Sequence, residues 1–263
     1  MELGLAGRVA LVTGGSKGIG RAVAMTLAAE GVHLALCARG EADLEDAVRA
    51  ARALGVNALG VPTDMTEPQA VRAFVARAAG HFGRIDILVN NAVTSTQNTF
   101  AALSDEEFRY HIDVKLMGYI RCAREAVPHM QARGWGRIVN VAGMTARIVT
   151  EFRMTNGVVN SAVTNFTKHL AEQVGRDGIT VNAVHPGYTW TPRLTNILAK
   201  WAALEGISLE EAGNRRKAEI PIGRFIEPED LGRLIAFLCS DAAGAITGQA
   251  IAVDGGSGRS INY

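Results

Sequence analysis

Cysteine is scarce in this 263-residue chain: Cys37, Cys122 and Cys239 are its only thiols, widely spaced and set in apolar surroundings. An odd number of distant cysteines excludes a disulfide framework and reads as buried free thiols in a reducing compartment. No apolar run approaches the ~20 residues that a membrane-spanning helix needs. The N-terminal MELGLAGRVALVTGG lacks a basic region ahead of an apolar stretch and runs straight into a strand pattern. No secretory signal is expected, therefore, and a cytoplasmic location is. Neither sign of charge dominates, since 27 basic and 26 acidic residues leave a formal net charge of +1. That balance excludes an electrostatic nucleic-acid surface and a polybasic membrane surface. Internal repeats, low-complexity tracts and linker-like Pro/Gly/Ser stretches are also missing, so residues 1–263 are expected to form one domain. No metal site is expected.

What is present is alternation. Hydrophobic residues make up 48% of the chain, gathered in short Val/Ile/Leu-rich runs separated by longer amphipathic stretches. The runs predict strands at Val9–Thr13, Val32–Ala38, Ala58–Pro62, Ile85–Asn90, Gly136–Val141, Thr180–His185 and Gln249–Val253. The runs are too short and too apolar for an exposed antiparallel edge and suit strands covered on both faces. The stretches between them predict helices at Gly18–Glu30, Ala42–Ala53, Glu67–His81, Ser104–Arg133, Val158–Val174 and Pro228–Leu238. Pro68 and Pro228 each sit just inside a helix start. The expected fold is α/β: a single-domain Rossmann fold, with a doubly wound seven-stranded parallel sheet and helices on both faces. Residues 191–221 break the alternation, with Trp201 and Leu204 on a helical pattern followed by the charged run Glu210–Lys217. An insertion near the carboxyl ends of the strands reads as a substrate lid, or more plainly as a surface helical excursion.

The first strand runs into Thr13-Gly14-Gly15-Ser16-Lys17-Gly18-Ile19-Gly20, which opens the first helix. Glycines are needed where the turn is tight and where a pyrophosphate approaches the backbone, and the helix N-terminus offers free N–H groups to the phosphates. Between a strand and a helix this spacing predicts a dinucleotide site. An NAD-selective site wants an acidic residue at the end of the second strand to hold the ribose 2′-OH. Here Ala38-Arg39 stands instead. Arg39 with Lys17 can pair with a 2′-phosphate, so the expected cofactor is NADP(H).

These residues resemble the short-chain dehydrogenase/reductase family over nearly the whole chain. TGGSKGIG is similar to the family's cofactor loop, and Asp64-Met65 to its adenine-contacting pair. Asn90-Asn91-Ala92 resembles NNAG, with Val93 in place of the final Gly. Ile179-Thr180-Val181-Asn182 with Pro186-Gly187 resembles the strand and turn beside the nicotinamide, and Gly248-Gln249 with Asp254-Gly255-Gly256 the carboxyl-terminal signature. The resemblance implies a cofactor set of Gly14, Ser16, Lys17, Gly18, Ile19, Gly20, Arg39, Asp64, Met65, Asn91, Ala92, Pro186, Gly187, Thr189 and Thr191. It also implies a homotetramer, because relatives pair long helices across a two-fold.

The family's catalytic positions read differently. Its members use a Tyr acid four residues ahead of a Lys, a Ser that orients the carbonyl, and an Asn in a preceding helix. The segment Ser161–Lys168 resembles the run after that Lys and places Asn160 at the Lys position and Asn156 at the Tyr position. Gly143 stands at the Ser position and Lys115 at the helix Asn position. None of the five lysines follows a Tyr by four residues. An Asn amide exchanges no proton near neutral pH, so neither Asn replaces the Tyr/Lys pair. Lys115 and His111, four apart on one helix, are candidates for the missing chemistry. A desolvated Lys115 can work as acid or base, or restore only the charge lost at Asn160. Tyr188 and Trp190 follow the Pro-Gly turn, and Tyr188 offers a phenol. Thr145, Glu151, Arg153 and Thr155 are candidate pocket residues. Three functions stay open: an oxidoreductase acting on a small carbonyl or alcohol with a non-standard acid–base set; a non-redox lyase, dehydratase or isomerase; and a non-catalytic NADP(H)-binding sensor or subunit.

Overall fold

A computed structural model describes residues 2–259. Seven strands, β1 (Val9–Thr13), β2 (His33–Ala38), β3 (Ala58–Pro62), β4 (Ile87–Asn90), β5 (Gly136–Val141), β6 (Ile179–Pro186) and β7 (Ala250–Val253), form a single sheet. Their order is β3-β2-β1-β4-β5-β6-β7 and every pairing is parallel. The chain leaves β1 toward β2 and β3, then returns to place β4 on its other side. That reversal opens a crevice at the carboxyl ends of β1 and β4, where open α/β sheets bind their ligands.

Both faces of the central strands are buried, which is why most of their residues are apolar. Val12, Leu34 and Leu36 face one core with Val23, Leu27 and Ile235. Leu11, Ala35 and Leu88 face the other with Phe74, Cys122 and Val181. Each fully buried Leu or Ile of this kind stabilises the fold by about 1.5–3 kcal/mol. The first layer is covered by α1 (Gly18–Ala29), α2 (Glu41–Ala53) and α9 (Pro228–Leu238). The second is covered by α3 (Pro68–Phe82), α5 (Gly118–Gln131) and α6 (Met154–Val174). Cys37, Cys122 and Cys239 are buried free thiols.

The structure corrects three helical expectations. Ser104–Arg133 is not one regular α-helix: α4 (Asp105–His111) passes through a π-helical turn, Ile112–Met117, into α5. Ser104 is the cap of α4, its hydroxyl accepting from the Glu107 amide at 3.2 Å. Val158 does not start a helix; α6 begins at Met154, so Asn156 lies in its first turn. Residues 191–221 hold two helices, α7 (Pro192–Glu205) and α8 (Leu209–Ala218), each capped by a hydroxyl, Thr191 for α7 and Ser208 for α8. Leu194, Leu198, Ile220 and Phe225 form a small apolar cluster of their own beneath them.

Candidate active site

Backbone geometry at the glycine loop depends on missing side chains. Gly14 has φ +64°, and a Cβ there would lie 3.0 Å from Ala92 Cα. A Cβ on Gly20 would come 2.2 Å from the Gly14 carbonyl oxygen and 2.4 Å from Asn91 Nδ2. The loop is tied to β4: Asn91 Nδ2 donates to the Thr13 and Gly14 carbonyls, both at 3.1 Å. Thr13 Oγ1 in turn accepts from the Asn91 and Ala92 amides at 2.9 and 3.0 Å. The result is a cradle of backbone N–H groups at the start of α1, suited to phosphate oxygens.

Two cavities meet this cradle. One, of about 430 Å³, is walled by Gly14, Ser16, Lys17, Arg39, Asp64 and Met65, with Ala92 and Tyr110. Arg39 Nη1 donates to the Tyr110 hydroxyl at 2.9 Å. Asp64 Oδ1 accepts from the amide and hydroxyl of Thr66, both at 2.9 Å. No carboxylate is expected from the sequence beside Arg39 and Lys17, but Asp43 lines this cavity and pairs with Lys17 at 2.6 Å. Asp43 sits on α2 rather than at the end of β2, outside the window where an acidic residue is sought.

The second cavity, of about 310 Å³, lies across the carboxyl ends of β4, β5 and β6. Ile19, Asn91, Pro186, Gly187, Thr189 and Thr191 form one wall, and Lys115, Gly143, Asn156, Asn160 and Tyr188 another. Gly18 and Gly20 lie in the first turn of α1 and line neither cavity. Lys115, in the π turn, is only 5% exposed. Its Nζ donates to the Ala142 carbonyl at 2.8 Å and to Asn160 Oδ1 at 2.6 Å. Asn160 Nδ2 donates to Thr145 Oγ1 at 2.8 Å. Burial first, and then the Arg193 guanidinium, lower the Lys115 pKa to about 7. Gly143 is where it is for a steric reason: a Cβ would come 2.7 Å from Asn160 Nδ2.

The other candidates separate. His111 is buried, its Nε2 is 2.9 Å from Thr96 Oγ1, and burial holds its pKa below the usual imidazole range. It does not line the cavity. The Tyr188 hydroxyl accepts from Arg216 Nη1 at 3.1 Å. Trp190 stacks on Phe225 at 5.2 Å, away from the cavity. Thr145 and Arg153 line the cavity; Glu151 and Thr155 do not. Ser95 links Asn156 to Arg153, donating to Asn156 Oδ1 at 3.4 Å and accepting from Arg153 Nη1 at 3.0 Å. Sequence reasoning missed Arg193 and Arg216, which the α7–α8 segment brings over the cavity. Arg193 stands two residues after Thr191 in the Pro-Gly segment, and its charge among apolar neighbours was the available signal.

Residues 14–258 match the family model described as enoyl-(acyl carrier protein) reductase. A Streptomyces virginiae protein assigned as a ketoacyl reductase of the monensin polyketide synthase is 40% identical, over 96% of this chain and 97% of its own. Cis-4-hydroxycyclohexanecarboxylate dehydrogenase of Sinomonas cyclohexanicum is 37% identical, over 95% and 96%. In structure, the chain is similar to L-sorbose reductase of Gluconobacter frateurii, crystallised with NADPH and L-sorbose. The TM-score is 0.96 at 36% identity, covering 99% of this chain and all of that one.

Proposed function

This chain belongs to the short-chain dehydrogenase/reductase family, and from that premise we propose that it is an NADP(H)-dependent oxidoreductase of a small carbonyl compound and its alcohol, with Lys115 as acid and base. One observation carries this reading: the Lys115 ammonium nitrogen, held at 2.6 Å by Asn160 Oδ1, stands in the cavity wall. The family resemblance expects Asn at position 115 and Lys at position 160. In this reading the two have changed places, and the cation enters the same space from the facing helix.

The residues present fit the cofactor. The cradle of Gly14 to Gly20 with Ser16 would hold the pyrophosphate, and Asp64 and Met65 the adenine. Arg39 and Lys17 would hold the 2′-phosphate, and Asn91, Pro186, Gly187, Thr189 and Thr191 the nicotinamide end. NADP(H), when bound, supplies or accepts a hydride at the carbon being reduced or oxidised.

Lys115 does the proton chemistry. A neutral amine has two N–H groups and a lone pair. Ala142 O and Asn160 Oδ1 take both N–H groups, which turns the lone pair to the cavity, where it can accept an alcohol proton. The ammonium form directs its third N–H there instead, to protonate a carbonyl oxygen during reduction. A pKa near the working pH serves both directions. The relatives support the reaction class: one is a dehydrogenase of a cyclic hydroxy acid and one a sugar reductase.

The test is a reaction of a ketone panel with NADPH deuterated on the hydride-donating face of its ring. Deuterium should appear on the carbinol carbon of the product alcohol. An enzyme that turns substrate over without oxidising the nucleotide would instead be a lyase, dehydratase or isomerase. Nucleotide choice is tested separately, by titrating NADPH and NADH against wild type and Arg39→Ala. NADPH should bind the wild type more tightly, and Arg39→Ala should lose ~1.5–3 kcal/mol of NADPH affinity. Lys17→Ala should lose less, because Asp43 already holds that ammonium at 2.6 Å. Equal affinities for the two nucleotides would overturn the assignment.

A further inference from the structure

The catalytic cavity carries more positive charge than a reductase of neutral carbonyls requires. Lys115, Arg153, Arg193 and Arg216 line it, and among the described residues no Asp or Glu does. Two of the four cations are accounted for. Lys115 is taken up by the proton chemistry proposed above, with Ala142 and Asn160 as its partners. Arg216 pairs with Glu219 at 2.7 Å and lies over the rings of Tyr188 and Trp201, at 4.9 and 5.0 Å.

Arg153 and Arg193 are different. Arg153 is fixed in place by neutral acceptors. Its Nη1 donates to Ser95 Oγ at 3.0 Å, and the Gln97 amide oxygen accepts from its Nη2 and Nε at 3.2 and 3.3 Å in the amide orientation that satisfies both residues. Ser95 and Gln97 position the guanidinium without neutralising it. Arg193 stands open at the cavity wall, with no side-chain hydrogen bond or ion pair among the described residues. Arg153 is half-buried and Arg193 stays exposed at the rim, so an anion would meet one positioned guanidinium inside the cavity and one free to close over it. The rest of the wall, including Ile148, Leu194, Ile197 and Leu198, suits a short carbon skeleton.

We propose that the substrate is a small keto or hydroxy acid whose carboxylate is bound by Arg153 and Arg193. The carboxylate assignment rests on the cavity, and its joining to a carbonyl rests on the reductase reading above. Guanidinium groups present parallel N–H donors that match a carboxylate's two oxygens. Arg193 comes from the α7–α8 segment and Arg153 from the start of α6, so the anion bridges the lid to the body of the domain. Its binding orients the carbonyl carbon by fixing the far end of the molecule.

The experiment has a binding arm and a turnover arm, so that the anion site and the reductase reading can fail separately. In the binding arm, NADPH-loaded wild type, Arg153→Gln and Arg193→Gln are titrated with benzoate and butyrate, and with benzamide and butyramide. The carboxylates should bind wild type at least ~10-fold more tightly than the amides, and each variant should lose about that preference, as expected for one charge-assisted contact. Arg193→Lys should keep part of it, and NADPH affinity should be the same in all four proteins. In the turnover arm, short α-keto and β-keto acids are compared with their methyl esters. The acids should have the higher kcat/KM, and the ratio of acid to ester kcat/KM should fall by about 10-fold in each Gln variant, whatever the change in ester rate itself. Carboxylate binding without turnover would keep the anion site and sink the reductase reading. Wild type that treats acids and neutral isosteres alike would overturn the anion site. So would inorganic phosphate binding as tightly as the carboxylates, or Arg193→Gln weakening NADPH as much as the carboxylates.

Discussion

Replacing Lys115 by Met is expected to lower kcat for carbonyl reduction by ~10²–10⁴-fold, the usual worth of a positioned acid. NADPH affinity should fall far less, because only the transition state uses the proton. Lys115→Arg separates charge from proton transfer: guanidinium keeps the positive charge but does not release a proton near neutral pH. It should keep most of the nucleotide affinity and little of the turnover. The pH profile has a definite sign. With a pKa of about 7, Lys115 is increasingly deprotonated as pH rises, so reduction, which needs the ammonium, should slow through that range. Oxidation needs the amine and should speed up over the same range. Both limbs should disappear in Lys115→Met. A profile that survives unchanged in that variant would assign the acid to another group, with Tyr188 the next phenol in the cavity wall. Methionine leaves Ala142 O and Asn160 Oδ1 without their donor, at a cost of ~1–3 kcal/mol each where water cannot enter. A thermal scan of the variant separates that structural loss from the catalytic one.

Returning the family's residues piecemeal is expected to fail, and the geometry says where. Asn160→Lys would bring a second ammonium against Lys115, whose Nζ lies 2.6 Å from Asn160 Oδ1. Two unit charges ~4 Å apart at an effective dielectric of about 20 repel by ~4 kcal/mol. Gly143→Ser alone meets a different obstacle, since its Cβ would come 2.7 Å from Asn160 Nδ2. The amide must then leave, breaking its bond to Thr145 and its hold on Lys115, and turnover should drop by at least ~10-fold as the acid loses its position. The double variant Asn156→Tyr, Asn160→Lys should therefore show no general carbonyl reductase activity. Adding Gly143→Ser and Lys115→Asn relieves both conflicts together, so the quadruple variant should be the more active of the two. Ketone reduction with NADPH by both proteins decides it, and robust reduction by the double variant would mean that the site is misread.

How far the residues alone reach can be seen element by element. All seven strands are legible to within two residues at each end, because a strand covered on both faces is a short, mostly apolar run with turn residues beside it. The glycine loop is legible for the same local reason: its spacing is a backbone requirement. Asn156 and Asn160 can be registered from the Ser161–Lys168 run that follows. Beyond local patterns the reading stops. A π turn at Ile112–Met117 has the composition of any amphipathic helix. The contact of Lys115 with Asn160 spans 45 positions, and no periodicity encodes it. Arg193 reads as a surface charge until α7 is placed over the cavity. Asp43 reads as an ordinary first-turn helix residue until it is seen against Lys17.

The 2.6 Å contact between Lys115 and Asn160 also bears on how such a site can arise by descent. If an ancestor carried the family's Asn and Lys at these positions, neither single change is comfortable. Gaining Lys115 first puts two ammoniums in one dry space, and losing the older Lys first leaves that space without a cation. Lineages would cross quickly or not at all, so present-day relatives should fall into two groups, with few holding both lysines or neither. Gly143 would travel with one group, since the inserted amide of Asn160 occupies the volume that a Cβ at 143 needs. Three positions scattered along the chain would then be inherited as one character, because what selection preserves is a positive charge at a point in space, whichever helix delivers it.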